Sequence, residues 1–155
     1  MKTLLLVVLS LVGSGVALAQ ADTLAYCMDR NQVGVGGYDP VSYFNEANPK
    51  LGTEKFTSTF EGVVYRFASA RNKKLFEATP EKYLPQFGGW CSMTMALGRA
   101  TRPAYDNFLI TDGKLFLFER TLSVNGRELW LKKPQQNETT ARRNYQQHRK
   151  GGKGK

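Results

Sequence analysis

Phe108-Leu109-Ile110-Thr111-Asp112-Gly113-Lys114-Leu115-Phe116-Leu117-Phe118-Glu119 is the stretch that decides the fold of this 155-residue chain. Two apolar runs flank Asp112-Gly113, a dipeptide typical of the two-residue turn of a β-hairpin. In the second run two leucines alternate with two phenylalanines, so large apolar side chains lie on both faces of the strand. The sequence therefore predicts a hairpin whose second strand is covered on both sides.

A second hairpin is predicted over 56–67, turning at Glu61-Gly62, with alternating apolar side chains on its second strand. Ser69 then offers a cap for a helix over 70–78, and Thr79-Pro80 begins a further short helix. Together these patterns predict an α+β fold. We expect a small single domain in which two β-hairpins form an antiparallel sheet packed by short helices.

The first nineteen residues have the pattern of a signal peptide. Lys2 precedes an apolar run over 4–12, and Ala17-Leu18-Ala19 provides a small-x-small cleavage pattern. No later segment is apolar over the length that a membrane helix requires. We therefore expect an exported protein, periplasmic or secreted, with no transmembrane anchor after cleavage.

The rest of the chain divides into an N-terminal segment over 20–32, a domain over 33–133, a helix over 134–148 and a disordered basic tail over 149–155. The chain has a formal net charge of +9. Much of it is local, because the last fifteen residues contain six lysines and arginines and no acidic residue. Such an end favours a weak contact with polyanions. No aromatic residues accompany the charge in the pattern of base stacking, so we expect no specific nucleic acid partner.

Gly88-Gly89-Trp90-Cys91-Ser92-Met93-Thr94-Met95 places a thiol where a glycine turn enters a predicted helix over 90–97. Unpaired N–H groups and the helix dipole favour a thiolate there. Cys91 and Met95, four positions apart, share one helical arc, whereas Met93 is predicted to lie in the core. Thiolate and thioether ligands suit Cu(I). Two ligands are too few for such a site, so Cys27, Met28 or an exogenous ligand would have to complete the set.

Other functions of the same residues remain open. Cys27 and Cys91 lie 64 positions apart, and a disulfide between them would stabilise an exported domain by about 4 kcal/mol. Alternatively, Cys91 attacks disulfides and Cys27 resolves them, or the disulfide-linked domain serves as an interaction scaffold with a basic tail.

A small-ligand pocket near Cys91 is also predicted, with Trp90, Tyr38 and Tyr43 as aromatic walls. The only histidine of the chain, His148, lies near the basic end of the sequence. Cys91 therefore has no imidazole partner predicted in the core, which argues against a Cys-His hydrolase. We expect a binding protein rather than an enzyme.

Four segments in order resemble the exported YHS-domain proteins: Gly36-Gly37-Tyr38-Asp39-Pro40-Val41-Ser42-Tyr43-Phe44, Phe60-Glu61-Gly62-Val63-Val64-Tyr65-Arg66-Phe67-Ala68-Ser69, Pro80-Glu81-Lys82-Tyr83 and Phe87-Gly88-Gly89-Trp90-Cys91. The resemblance spans about 33–131. It implies a small α+β domain and the binding of heavy metals such as copper. Ser42 and Tyr43 stand where cysteine-bearing members of the wider family carry a cysteine, and Phe60-Glu61-Gly62 replaces their Tyr-His-Ser. Only Cys91 remains of the cysteines that the resemblance would supply.

Overall fold

A computed structural model describes residues 25–46 and 48–151. The predicted signal peptide over 1–19 lies outside the described residues, as do 20–24 of the N-terminal segment and the last four residues of the predicted tail. The described part of the chain combines helices with antiparallel strand pairs. The predicted α+β class is confirmed.

Both predicted hairpins are present. Strand β1, Thr53–Phe60, pairs antiparallel with β2, Val63–Phe67, and β3, Ala104–Thr111, pairs antiparallel with β4, Lys114–Phe118. At each turn both residues have positive φ, which is the geometry that a two-residue hairpin turn of this type requires.

The two hairpins form two separate two-stranded sheets rather than one sheet. Loop segments lie along strands from each hairpin: Val33 forms a parallel bridge with Val64 of β2, and Pro85 forms one with Leu115 of β4. These bridges satisfy backbone groups at sheet edges that would otherwise be open to a further strand.

Six α-helices accompany the strands in the described residues: α1 Ser42–Asn45, α2 Ala70–Ala78, α3 Pro80–Tyr83, α4 Ser92–Ala96, α5 Gly126–Leu131 and α6 Pro134–Gly151. Two short 3₁₀ helices cover Val35–Gly37 and Gln86–Gly89. The predicted cap of α2 is confirmed, because Ser69 Oγ accepts a hydrogen bond of 3.1 Å from the N–H of Asn72.

Two predicted helix boundaries need correction. Helix α4 begins two residues later than predicted, at Ser92, because Cys91 is its N-cap and has extended rather than helical backbone. Helix α6 continues to Gly151, three residues past the predicted end at 148. Arg149 and Lys150 are therefore helical rather than part of a disordered tail.

Strand β4 separates two hydrophobic cores. Its leucines, Leu115 and Leu117, pack with β2, α1 and α2, whereas Phe116 and Phe118 pack with Trp130 of α5 and with α4 and α6. All four side chains are fully buried, as the alternation of leucine and phenylalanine predicts. The strand thus holds the two halves of the domain together.

The Asp39 carboxylate ties three segments to one another. It accepts hydrogen bonds from the N–H of Val41 and of Ala68, each 2.9 Å, and from Asn72 Nδ2 at 2.7 Å. The Asp39 side chain is fully buried, so these donors rely on its carboxylate as their hydrogen-bond acceptor. The motif around Asp39 therefore has a structural role, joining the loop before α1 to the end of β2 and to α2.

Helix α6 is anchored at three levels. The Tyr145 hydroxyl donates to the carbonyl of Ala25, Asn144 Nδ2 donates to carbonyls at the end of α4, and Glu138 pairs with Lys114 of β4 at 2.8 Å.

No helix among the described residues combines the length and apolar character that crossing a bilayer requires.

Candidate functional site

The Cys91 thiol lies at the start of α4, where two chain segments meet. Its Sγ accepts hydrogen bonds from the N–H of Glu119 at 3.1 Å and from the N–H of Thr94 at 3.5 Å. The N–H of Cys91 itself donates to the carbonyl of Thr101 at 2.9 Å. The side chain has no exposed surface, so the thiol is held in a fixed place by backbone groups of α4 and of the end of β4.

A cavity of about 220 Å³, here called the Cys91 cavity, lies beside this thiol. It is lined by Cys91, Met93, Thr94, Leu97, Arg99, Glu119, Thr121, Val124, Gly126 and Leu129. Helix α4 with the residues that flank it, helix α5 and the loop over 119–124 form its walls. Its surface is mainly apolar.

Hydrogen bonds hold the Glu119 carboxylate in place. Thr101 Oγ1 donates to Glu119 Oε2 at 2.9 Å, and the hydroxyls of Thr94 and Thr101 lie 2.8 Å apart. Within 25–46 and 48–151 no cation lies within salt-bridge distance of this carboxylate. Arg99 also lines the cavity, so its wall carries one acidic and one basic side chain.

The two methionines of α4 lie opposite to the prediction. Met95 is buried in the core with Phe116, Phe118 and Trp130, whereas Met93 lines the Cys91 cavity. The prediction placed Cys91 and Met95 on one helical arc. Cys91 is the N-cap of α4, with ψ at 121°, and Met95 does not line the cavity beside its thiol.

Cys27 and Met28 each have their own neighbours in the structure. Cys27 Sγ lies 3.7 Å from the Tyr105 hydroxyl, and burial raises the pKa of this thiol more than Tyr105 and Arg102 lower it. Met28 packs in the core on the other side of β4 from Met95. In the described part of the chain no three His, Cys, Asp or Glu side chains form a metal-binding group.

Of the four residues predicted as copper ligands, Met28 and Met95 pack in separate cores, and the Cys91 thiol accepts two backbone N–H groups. Copper binding stays a prediction that rests on the resemblance.

Cys27 and Cys91 are free thiols in the structure, so it does not contain the disulfide considered above. Their Sγ atoms have separate partners: Cys27 faces Tyr105, and Cys91 faces Thr94 and Glu119. Each side chain is at most 1% exposed. The attack of Cys91 on a disulfide, as in the thiol-redox alternative, would require this region to open first.

The three aromatic residues predicted as pocket walls do not line the Cys91 cavity. Tyr38 and Tyr43 lie with Tyr105 in one aromatic group, where the Tyr43 hydroxyl donates to the Tyr105 carbonyl at 2.7 Å. Trp90 faces the ring of His148 at a centroid distance of 6.1 Å. The aromatic side chains therefore brace the domain and α6 rather than the cavity.

Sequence reasoning missed most of the cavity wall. Glu119 directly follows β4, and a carboxyl at the end of a buried strand is a signal in the sequence for a site. The apolar lining residues Leu97, Val124 and Leu129 come from three segments. No spacing in the sequence connects these residues to Cys91.

Comparisons of the chain with protein-family models, with curated proteins and with solved structures find no match. The resemblance to exported YHS-domain proteins therefore stays a prediction, and function must be argued from the geometry.

Proposed function

We propose that this chain is a non-catalytic binding domain that holds a small, uncharged, amphipathic molecule in the Cys91 cavity. The observation that carries the proposal is the cavity itself, a mainly apolar space of about 220 Å³ that contains one hydrogen-bonded carboxylate and one arginine. Export and membership of the YHS family remain parts of the proposal that rest on the sequence.

The lining selects the ligand by polarity. Leu97, Val124 and Leu129 offer apolar surface, and removing such surface from water contributes about 25 cal/mol per Å². Glu119 accepts and Arg99 donates hydrogen bonds, and their opposite charges leave no net charge on the wall. A molecule with an apolar body and a hydroxyl or amide end matches this arrangement.

The same geometry argues against catalysis at Cys91. The thiol accepts two backbone hydrogen bonds and has no exposed surface, so its role is to shape the wall. His148, a residue of α6, packs against Trp90 and does not line the cavity. Contact of the basic C-terminal end with polyanions stays a separate prediction.

A titration with hexanol tests the proposal, with amide shifts in NMR as the measurement. Val124 lies at the mouth of the cavity and is 49% exposed, so Val124→Trp places a large ring over the opening without disturbing a core. Leu122→Trp is the matched control, because Leu122 is fully exposed and does not line the cavity.

We expect saturable shifts at Thr94, Glu119 and Leu129 in the original protein and in Leu122→Trp, and their loss in Val124→Trp. Equal shifts in the two tryptophan variants, or shifts spread over the whole domain, would refute a site in this cavity. Stronger binding of hexylammonium or hexanoate than of hexanol would refute the assignment of an uncharged ligand.

A further inference from the structure

A second cavity, of about 320 Å³, lies between α6 and the body of the domain; we call it the α6 groove. It is lined by Tyr26, Tyr65, Leu84, Pro85, Gln86, Phe87, Gly88, Arg142, Tyr145, Gln146 and Arg149. None of these residues lines the Cys91 cavity. Helix α6 and Tyr26 also lie outside the segment of about 33–131 that resembles the YHS proteins.

The charge of the α6 groove is positive. Arg142 and Arg149 lie seven positions apart on one face of α6, about two helical turns, and none of the lining residues is acidic. The nearby Glu138 accepts hydrogen bonds from both Lys114 at 2.8 Å and Arg142 at 2.7 Å, so one carboxylate faces two cations. An excess of positive charge therefore remains at this end of the groove.

Arg149, unlike Arg142, has no salt bridge within the described residues. Its guanidinium lies 5.7 Å from the centre of the Tyr145 ring, and among the described residues it has no carboxylate within salt-bridge distance. The Tyr26 hydroxyl, on the groove wall, donates a hydrogen bond to Glu61, which is not itself a lining residue.

Four aromatic rings form much of the wall: Tyr26, Tyr65, Phe87 and Tyr145. Burial, and then the charge of Glu61, raise the pKa of the Tyr65 phenol, so this group stays neutral and able to donate a hydrogen bond. A ligand with a flat ring gains from contact with such walls, since aromatic pairs contribute beyond their buried area. A guanidinium fork binds a carboxylate through two parallel hydrogen bonds.

We propose that the α6 groove binds a small aromatic carboxylate, with its ring against the tyrosines and its carboxylate at Arg142 and Arg149. The proposal is independent of the Cys91 cavity. In this proposal the basic end of α6 recognises a ligand inside the groove and does not act only by non-specific attraction of negative charge.

Calorimetric titration with naphthoate, at physiological salt, tests the proposal. Naphthylmethylammonium is the probe of opposite charge, and acetate is the probe without a ring. Arg149→Gln is the main variant, because Arg149 forms no ion pair within the described residues. Lys150→Gln is the matched control, since Lys150 is the exposed neighbour of Arg149, carries the same charge and does not line the groove.

We expect naphthoate to bind in a saturable way and Arg149→Gln to weaken it about tenfold. Lys150→Gln should leave the affinity within about twofold, because Lys150 does not line the groove. Equal losses in the two variants, equal binding of naphthylmethylammonium, or no saturable heat with naphthoate would each overturn the proposal. Val124→Trp should leave naphthoate binding unchanged, which separates this site from the Cys91 cavity.

Discussion

The hydroxyl of Tyr145 donates a hydrogen bond of 2.7 Å to the carbonyl oxygen of Ala25, joining two residues 120 positions apart in the chain. Gly88 makes this approach possible. A Cβ atom at Gly88 would overlap the Ala25 carbonyl oxygen and lie 2.7 Å from the Tyr145 hydroxyl. The contact between α6 and the N-terminal segment therefore depends on the absence of a side chain at 88.

Gly88→Ala should destabilise the protein by more than about 3 kcal/mol, because the methyl group would meet backbone rather than a flexible side chain. Gly113→Ala is the control, since Gly113 also has positive φ, 69°, but has no atom near the position of a Cβ. Gly113→Ala should lower the free energy of unfolding by about 1 kcal/mol. Thermal denaturation measures both, and equal effects would contradict the close approach at Gly88.

Met95→Ala should lower stability by about 2–5 kcal/mol, since the side chain is 1% exposed and packs with Trp130. Met93→Ala should cost clearly less, because Met93 is only partly buried and lines a cavity. Urea denaturation compares the two variants. A larger stability loss for Met93→Ala than for Met95→Ala would support the predicted helix faces. A loss of Cu(I) affinity confined to Met95→Ala would support the predicted copper ligands Cys91 and Met95.

Asp39→Ala should cost about 3 kcal/mol or more, because two buried N–H groups and the Asn72 amide lose their acceptor together. Asn72→Ala removes only one of these hydrogen bonds and should cost about 1 kcal/mol. Chemical denaturation distinguishes the two changes. Similar stabilities for the two variants would mean that Asp39 does not join the three segments.

Glu138 should make stability depend on pH in the acidic range. Burial by itself would raise the pKa of this carboxyl, but hydrogen bonds from Lys114 and Arg142 lower it overall. A carboxyl with a lowered folded-state pKa stabilises above its unfolded pKa, about 4.3, and loses that contribution as pH falls.

Glu138→Gln should therefore lower stability at neutral pH by no more than about 1 kcal/mol and converge with the original protein in acid. Denaturation midpoints measured between neutral and acidic pH give the comparison. A difference that persists at low pH would mean that packing, not charge, explains the effect.

Both cysteines should be free and unreactive in the folded protein. Protein purified without reductant should show two titratable thiols when denatured and none when native, because each side chain is at most 1% exposed. Burial raises the pKa of Cys27, so its protonated form should persist as pH rises through the ordinary cysteine range. The stability that depends on this proton is fully present below the ordinary cysteine pKa and is lost as pH rises from there through the raised pKa.

The reaction with a thiol reagent, followed with and without denaturant, measures these properties. Cys27→Ala and Cys91→Ala assign each thiol. A denatured protein without titratable thiols would establish the disulfide that the structure does not contain.

Local sequence patterns predicted the elements of the fold well. Asp112-Gly113 and Glu61-Gly62 specify tight turns through backbone sterics, and Ser69 caps α2 through a contact three residues away. The alternation in β4 correctly indicated burial on both faces, because side-chain direction along a strand has a period of two. These properties depend on near neighbours, which the sequence displays directly.

The sites depended on contacts that no local pattern contains. Cys91 meets Glu119 across 28 positions, and Tyr145 meets Ala25 across 120. Met93 lines the cavity beside Cys91, whereas Met95 packs in the core. The sequence by itself determined the α+β class, the two hairpins and the capped helix α2. Only the tertiary structure decided which side chains line the two cavities, because cavity walls are assembled from segments brought together by packing.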